Sequence, residues 1–171
     1  CARYLSSIQS VYNYIFLEEF VRKRTKNAII ITSAPLKGIL NMSINPKGKI
    51  IYSGSKGREF ALDKNKYSMK VALNKKKILN RFTKDAKQIL SRKENEKFTM
   101  IGSGFQEKFG QVTIARQDIS GSIPKEESLE FLDKIRKLAK ETDPEELILK
   151  IEDTGLDIEI ILTTDDNTES F

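Results

Sequence analysis

Between residues 27 and 73 the chain alternates short apolar runs with turn-forming residues, and this punctuation constrains its fold more than any other feature. Residues 28–33, 39–44, 49–53, 58–62 and 67–73 read as strands. Between them fall Ala34-Pro35, Asn45-Pro46-Lys47-Gly48, Gly54-Ser55-Lys56-Gly57 and Asp63-Lys64-Asn65, residue types that set turn dihedrals. Leu40, Met42 and Ile44 alternate with polar neighbours, as do Phe60 and Leu62, and Tyr67, Met69, Val71 and Leu73. Such alternation gives a sheet one apolar and one wet face, which predicts an antiparallel meander rather than a doubly wound sheet.

Three helical stretches supply cover for that sheet. In residues 4–21, Tyr4, Leu5, Ile8, Val11, Tyr12, Ile15, Phe16 and Phe20 recur at spacings of three and four, a stripe expected to lie on the sheet. The second helix, 74–93 with Asn74 as cap, turns Ile78, Leu79, Phe82, Ala86, Ile89 and Leu90 inward. Strands are expected near 97–103 and 109–117. The third helix has Ser122 as cap, Pro124, Glu126 and Glu127 in its first turn, and Asp143-Pro144 as its stop, the order that backbone chemistry and the helix dipole favour. Its core stripe is Leu129, Leu132, Ile135 and Leu138. A hairpin then pairs 147–152 with 156–162 across Asp153-Thr154-Gly155. Residues 164–171 read as a frayed acidic tail. The expected fold is α+β, a single domain over 1–171 with a mainly antiparallel sheet packed against about three helices.

Composition excludes several chemistries. The chain has 171 residues, 32% of them charged and 39% apolar, the profile of a soluble globular chain with a real core. It has no histidine and one cysteine. The usual general base near neutral pH, an intrachain disulfide and a cysteine-cluster metal site are therefore excluded, and no cofactor is expected. Residues 1–100 hold 22 Lys and Arg against 7 Asp and Glu, net +15, and residues 101–171 hold 8 against 17, net −9. No apolar run approaches the ~20 residues of a membrane span.

Four short motifs are weighed against ordinary turn chemistry. Ser53-Gly54-Ser55-Lys56 fits Ser-x-x-Lys, but its glycines mark a turn and the companion motifs are missing. Asp153-Thr154-Gly155 carries the aspartic-protease tripeptide, yet Glu152 precedes it and hairpin chemistry explains it. Gly102-Ser103-Gly104 reads as a strand-to-strand turn. Asp153, Asp157 and Glu159 miss the calcium-loop spacing. The remaining feature with chemical reach is the basic outer face of the second helix. Lys75, Lys77, Arg81 and Lys84 are its candidate contacts for an anionic ligand. Single-stranded nucleic acid is disfavoured because no aromatics interleave the lysines.

The chain begins with its sole cysteine, Cys1, and Lys outnumbers Arg 22 to 8 without any Trp. On these features it resembles the mature spirochaetal surface lipoproteins of the Borrelia type. That resemblance implies lipid attachment at Cys1, with residues 1–3 as a short anchored start, and a place in the bacterial outer membrane. It also implies a non-enzymatic role, the partners being the membrane and a host protein or sulfated glycan. The alternative is an intracellular or secreted nucleic-acid-binding domain whose Cys1 is a trimming accident.

Overall fold

In the computed structural model, residues 10–42, 50–62 and 65–163 are described. They fall into two compact units, Cys1–Lys70 and Val71–Phe171, and each is taken by itself.

The first unit opens with α1 (Val11–Lys23), whose cap Ser10 accepts the Asn13 N–H through its hydroxyl. Then follow β1 (Ala28–Ile31), α2 (Leu36–Met42), β2 (Ile50–Gly54), β3 (Glu59–Leu62) and β4 (Asn65–Ser68). The sheet order is β1-β2-β3-β4. β1 runs parallel to β2, with Ala28 opposite Ile50 and Ile31 opposite Ser53, whereas β2-β3-β4 is antiparallel. Val21, Leu36, Ile50, Tyr52 and Ala61 form the core, with Leu17, Ile30, Ile39 and Leu40 packed on it.

Three expectations are corrected in this unit. Residues 39–42 are helical, not extended, because parallel strands cannot be joined by a hairpin and need a crossover. Leu36, Ile39 and Leu40 supply the helical spacing that does this. The first two strands accordingly leave the meander. The α1 stripe does not lie on the sheet either. Val11, Tyr12, Phe16 and Phe20 are exposed, while Leu17 and Val21, one turn apart on another face, reach the core. Tyr4, Leu5 and Ile8, the Asn45–Gly48 turn and the 164–171 tail lie outside the described residues.

The second unit contains α3 (Leu73–Leu90), α4 (Lys97–Met100), β5 (Phe105–Lys108), β6 (Gln111–Ala115), α5 (Lys125–Thr142), β7 (Leu149–Asp153) and β8 (Asp157–Leu162). Its sheet has the order β5-β6-β8-β7 and is antiparallel throughout. Phe82, Phe98, Phe131, Ile114, Ile135, Ile158 and Ile160 are almost wholly buried in one cluster. The α+β class and the mainly antiparallel pairing are as the sequence reading expects.

Local corrections here follow from packing. Residues 97–100 form a helical turn rather than a strand, because Phe98 enters the core and stacks on Phe131 with centroids 3.8 Å apart. The second helix starts at Leu73, with Ala72 and not Asn74 at its cap, and Pro124 rather than Ser122 takes that place in α5. The Ser122 hydroxyl donates instead to Asp118 Oδ2 at 2.6 Å. Leu129 is exposed and Phe131 occupies the core stripe with Leu132, Ile135 and Ala139.

Candidate functional site

Two adjacent loops leave the carboxyl ends of the parallel strands in the first unit. Because Ile31 lies opposite Ser53, Thr32–Pro35 and Ser55–Gly57 emerge side by side. They are tied together by backbone bonds: Thr32 N–H to the Ser53 carbonyl at 3.0 Å, Ser55 N–H to Ala34 O at 2.8 Å, and Lys56 N–H to Thr32 O at 3.1 Å. Gly54 allows the approach, since a Cβ there would sit 2.5 Å from the Leu36 nitrogen. Glu59 Oε1 accepts both the Leu36 N–H at 2.9 Å and the Ser55 hydroxyl at 2.6 Å.

The turn itself is left-handed. Ser55, Lys56 and Gly57 have φ of 51, 57 and 92°, and two consecutive non-glycine residues in that region carry strain of about 1–2 kcal/mol each. Backbone strain of this kind persists where surrounding structure holds it, and it gathers at ligand sites. Lys56 is exposed at the tip. Thr32 Oγ1 accepts the Ala34 N–H at 3.2 Å, and Ser33 is exposed beside it. Burial holds the neighbouring Arg58 guanidinium below its ordinary pKa. Hydroxyls and cations gathered at the carboxyl ends of parallel strands suit an anionic group, and such crevices are where open α/β sheets bind ligands.

The second unit offers a different surface. Strand registers put Gln106, Thr113, Glu159 and Glu152 in one row across all four strands, on the face opposite Ile114, Ile158 and Ile160. Lys108, Gln111, Ile161 and Lys150 form the next row. Gln111 and Thr113 are 1% and 2% exposed, and Glu159 is 8% exposed. Among the described residues, Gln111 Oε1 is buried without a hydrogen-bond partner, which carries a desolvation cost. Glu152 lies directly opposite Glu159. Lys150 pairs with Glu152 at 3.2 Å on the same face.

The edge of that sheet is clamped by Arg116. Its guanidinium grips Asp153 and reaches the Ser128 hydroxyl at 2.8 Å, and that hydroxyl donates to the Arg116 carbonyl at 2.9 Å. Arg116, and in lesser measure the Gly155 N–H, hold the Asp153 carboxyl below its ordinary pKa against an opposing effect of burial. Asp118 is likewise lowered, chiefly by the Ser122 hydroxyl. Asp153-Thr154-Gly155 is hairpin chemistry, as expected: Gly155 has φ 83° and donates its N–H to Asp153 Oδ1.

The expected anionic-ligand residues do not stay together. Lys75 is buried on the stripe of Leu79 and Phe82, and its ammonium donates to the Thr163 carbonyl at 2.8 Å. Position 75 lies one turn before Leu79, so helix geometry turns it inward. Lys77, Arg81 and Lys84 are exposed on one face, spaced four and three residues apart. Cys1 lies outside the described residues. The loop cluster after β1 escaped the sequence reading, although a signal existed. Ala28-Ile29-Ile30-Ile31 is a continuous apolar run, the mark of a parallel strand rather than of an alternating meander. Among the described residues, no three or more Cys, Asp or Glu side chains gather to hold a metal ion.

Comparison with known proteins gives these sites a context. All of residues 1–171 match the sequence model of the family described as Trehalose-6-phosphate phosphatase, C-terminal. A protein named alpha,alpha-trehalose-phosphate synthase [UDP-forming] 1 from Aphelenchoides avenae is 31% identical over 95% of this chain, which spans 14% of that relative. A protein named trehalose-phosphatase from Caenorhabditis briggsae is 28% identical over 94% of the chain, which spans 38% of it. The fold resembles the C-terminal domain of Candida albicans trehalose-6-phosphate phosphatase, at 12% identity and a TM-score of 0.62, over 92% of this chain and 50% of that one. It also resembles a trehalose-6-phosphate phosphatase related protein, at 11% identity and a TM-score of 0.63, over 92% and 60%.

These matches correct the sequence reading. The lipoprotein resemblance falls, because composition and one terminal cysteine are outweighed by a family match along the whole chain. With it fall the non-enzymatic role, the outer-membrane address and the membrane, host-protein and glycan partners, and the nucleic-acid alternative gains no support. Among the described residues, no helix is long and apolar enough to cross a membrane. The chain belongs to the trehalose-6-phosphate phosphatase C-terminal family.

Proposed function

We propose that this chain supplies a phosphate-binding surface of a phosphatase acting on trehalose 6-phosphate. The observation that carries this reading is the family match across all 171 residues, and the names of similar nematode proteins agree with it. In this reading the loops after β1 and β2 receive the phosphate. Thr32 and Ser33 offer hydroxyls and Lys56 offers an ammonium beside them. Phosphoryl transfer is catalysed mainly by positioning and charge stabilisation, so a rigid loop pair suits it. The exposed Lys77, Arg81 and Lys84 remain a candidate contact for an anionic ligand, and none of the three has an acidic partner among the described residues.

The test uses the complete natural polypeptide that contains this chain. Phosphate release from trehalose 6-phosphate is compared with release from glucose 6-phosphate. Preferential turnover of the disaccharide phosphate is expected. No release from trehalose 6-phosphate, or equal turnover of the monosaccharide phosphate, overturns the reading.

A further inference from the structure

The left-handed turn Ser55–Gly57 is costly to hold, and most of the bonds that hold it come from backbone groups whose strength no side chain sets. Among the described residues, Glu59 adds side-chain bonds to these. It sits on β3, two residues beyond the turn, and opposite Gly54 across the antiparallel pair. From that place one oxygen, Oε1, reaches in two directions, to the Ser55 hydroxyl and to the Leu36 N–H that opens α2. Ser55 is fully buried and Glu59 half-buried, so both bonds are partly sheltered from competing water. A single carboxylate oxygen thus ties the loop after β1 to the turn after β2. The Gly54 backbone, with no room for a Cβ against Leu36, closes the same seam.

We infer that Glu59 is a positioning residue, which locks the Ser55–Gly57 turn against the β1–α2 loop and so sets where Thr32, Ser33 and Lys56 meet a phosphate. The identification of that phosphate as part of trehalose 6-phosphate rests on the function proposed above. The lock itself rests on the two hydrogen bonds and the left-handed turn. Glu59 acts as an acceptor only. A glutamine at the same position keeps an oxygen able to accept both bonds, while an alanine removes both.

The experiment compares wild type, E59Q, E59A and S55A in the complete natural polypeptide. It reads kcat and KM for trehalose 6-phosphate, and amide hydrogen exchange at Leu36, Ser55 and Lys56. E59A is expected to lower kcat/KM by about 100-fold, the effect of an ångström-scale misplacement at a reacting group, and to speed exchange at all three amides. E59Q is expected to stay near wild type in both readouts. S55A, which keeps the Leu36 bond, is expected to fall between them, and it decides the matter if E59A does not fold. Wild-type kinetics in E59A or, where E59A is unfolded, in S55A overturn the inference, as does unchanged exchange. So does an E59Q as damaged as E59A, which would make charge rather than acceptance the property that matters. A wild type that releases no phosphate from trehalose 6-phosphate overturns the functional reading instead, and exchange in E59A still decides the lock.

Discussion

Arg116 holds Asp153 through both carboxylate oxygens, Nε to Oδ1 at 2.8 Å and Nη2 to Oδ2 at 2.9 Å. The pair joins the end of β6 to the end of β7, across the β8 that lies between them. Through Ser128 the same guanidinium pins the first turn of α5. A fork-to-fork pair is among the stronger polar ties a small sheet can have.

Acid should weaken this tie in a defined direction. The folded-state pKa of Asp153 is depressed, so the unfolded chain binds the proton more readily. Stability from the group is present above the unfolded value of ~3.9 and is lost as pH falls through the lower folded value. Urea titrations at pH 6 and pH 3 should show wild type losing more stability than D153N over that interval. Equal losses would remove Asp153 from the account of acid sensitivity.

The stacked rings of Phe98 and Phe131 are each 1% exposed. F131A should cost about 3–5 kcal/mol, the usual range for emptying a buried aromatic site. F98A should do the same while leaving α3 and α5 in place. A chemical-denaturation midpoint shifted by much less would mean that the α4 turn is not part of the cooperative core.

Two glycines of one loop should fail for different reasons. At Gly54 an added methyl meets the Leu36 backbone at 2.5 and 2.7 Å, so G54A is expected to cost about 1–3 kcal/mol by overpacking. At Gly57 nothing lies within 4 Å, but φ is +92°, so G57A should cost only the left-handed penalty of about 1–2 kcal/mol. Amide exchange at Leu36 separates them: it should quicken in G54A and stay unchanged in G57A.

Lys75 and Lys77 are sequence neighbours with opposite duties. K75M removes a donor from the Thr163 carbonyl and should cost about 1 kcal/mol. K77M, at an exposed site, should stay within about 0.5 kcal/mol of wild type. A thermal or urea comparison of the two variants checks the split of the basic cluster into one buried and three exposed cations.

Much of the second unit could be read directly. The inward faces of α3, with Leu79, Phe82, Ala86 and Leu90, and the stop at Asp143-Pro144 followed from helical spacing and end chemistry. The β7–β8 hairpin followed from Asp153-Thr154-Gly155. The family did not follow, because composition and a terminal cysteine are properties many unrelated chains share, whereas family likeness is spread thinly over all 171 positions.

The amino-acid sequence by itself determined the α+β class, the α3 core face and the turns at Gly54–Gly57 and Asp153–Gly155, because those depend on periodicities of two and 3.6 residues and on local dihedral preferences. Only the tertiary structure decided which strands run parallel, that residues 39–42 are a crossover helix, and that Phe98 abandons a strand to stack on Phe131. It also brought Leu36, Ser55 and Glu59 to one oxygen. Leu36 and Glu59 stand 23 residues apart, and no local preference encodes a bond of that range. It forms because the parallel β1–β2 pairing and the antiparallel return of β3 bring both groups to the same end of the sheet.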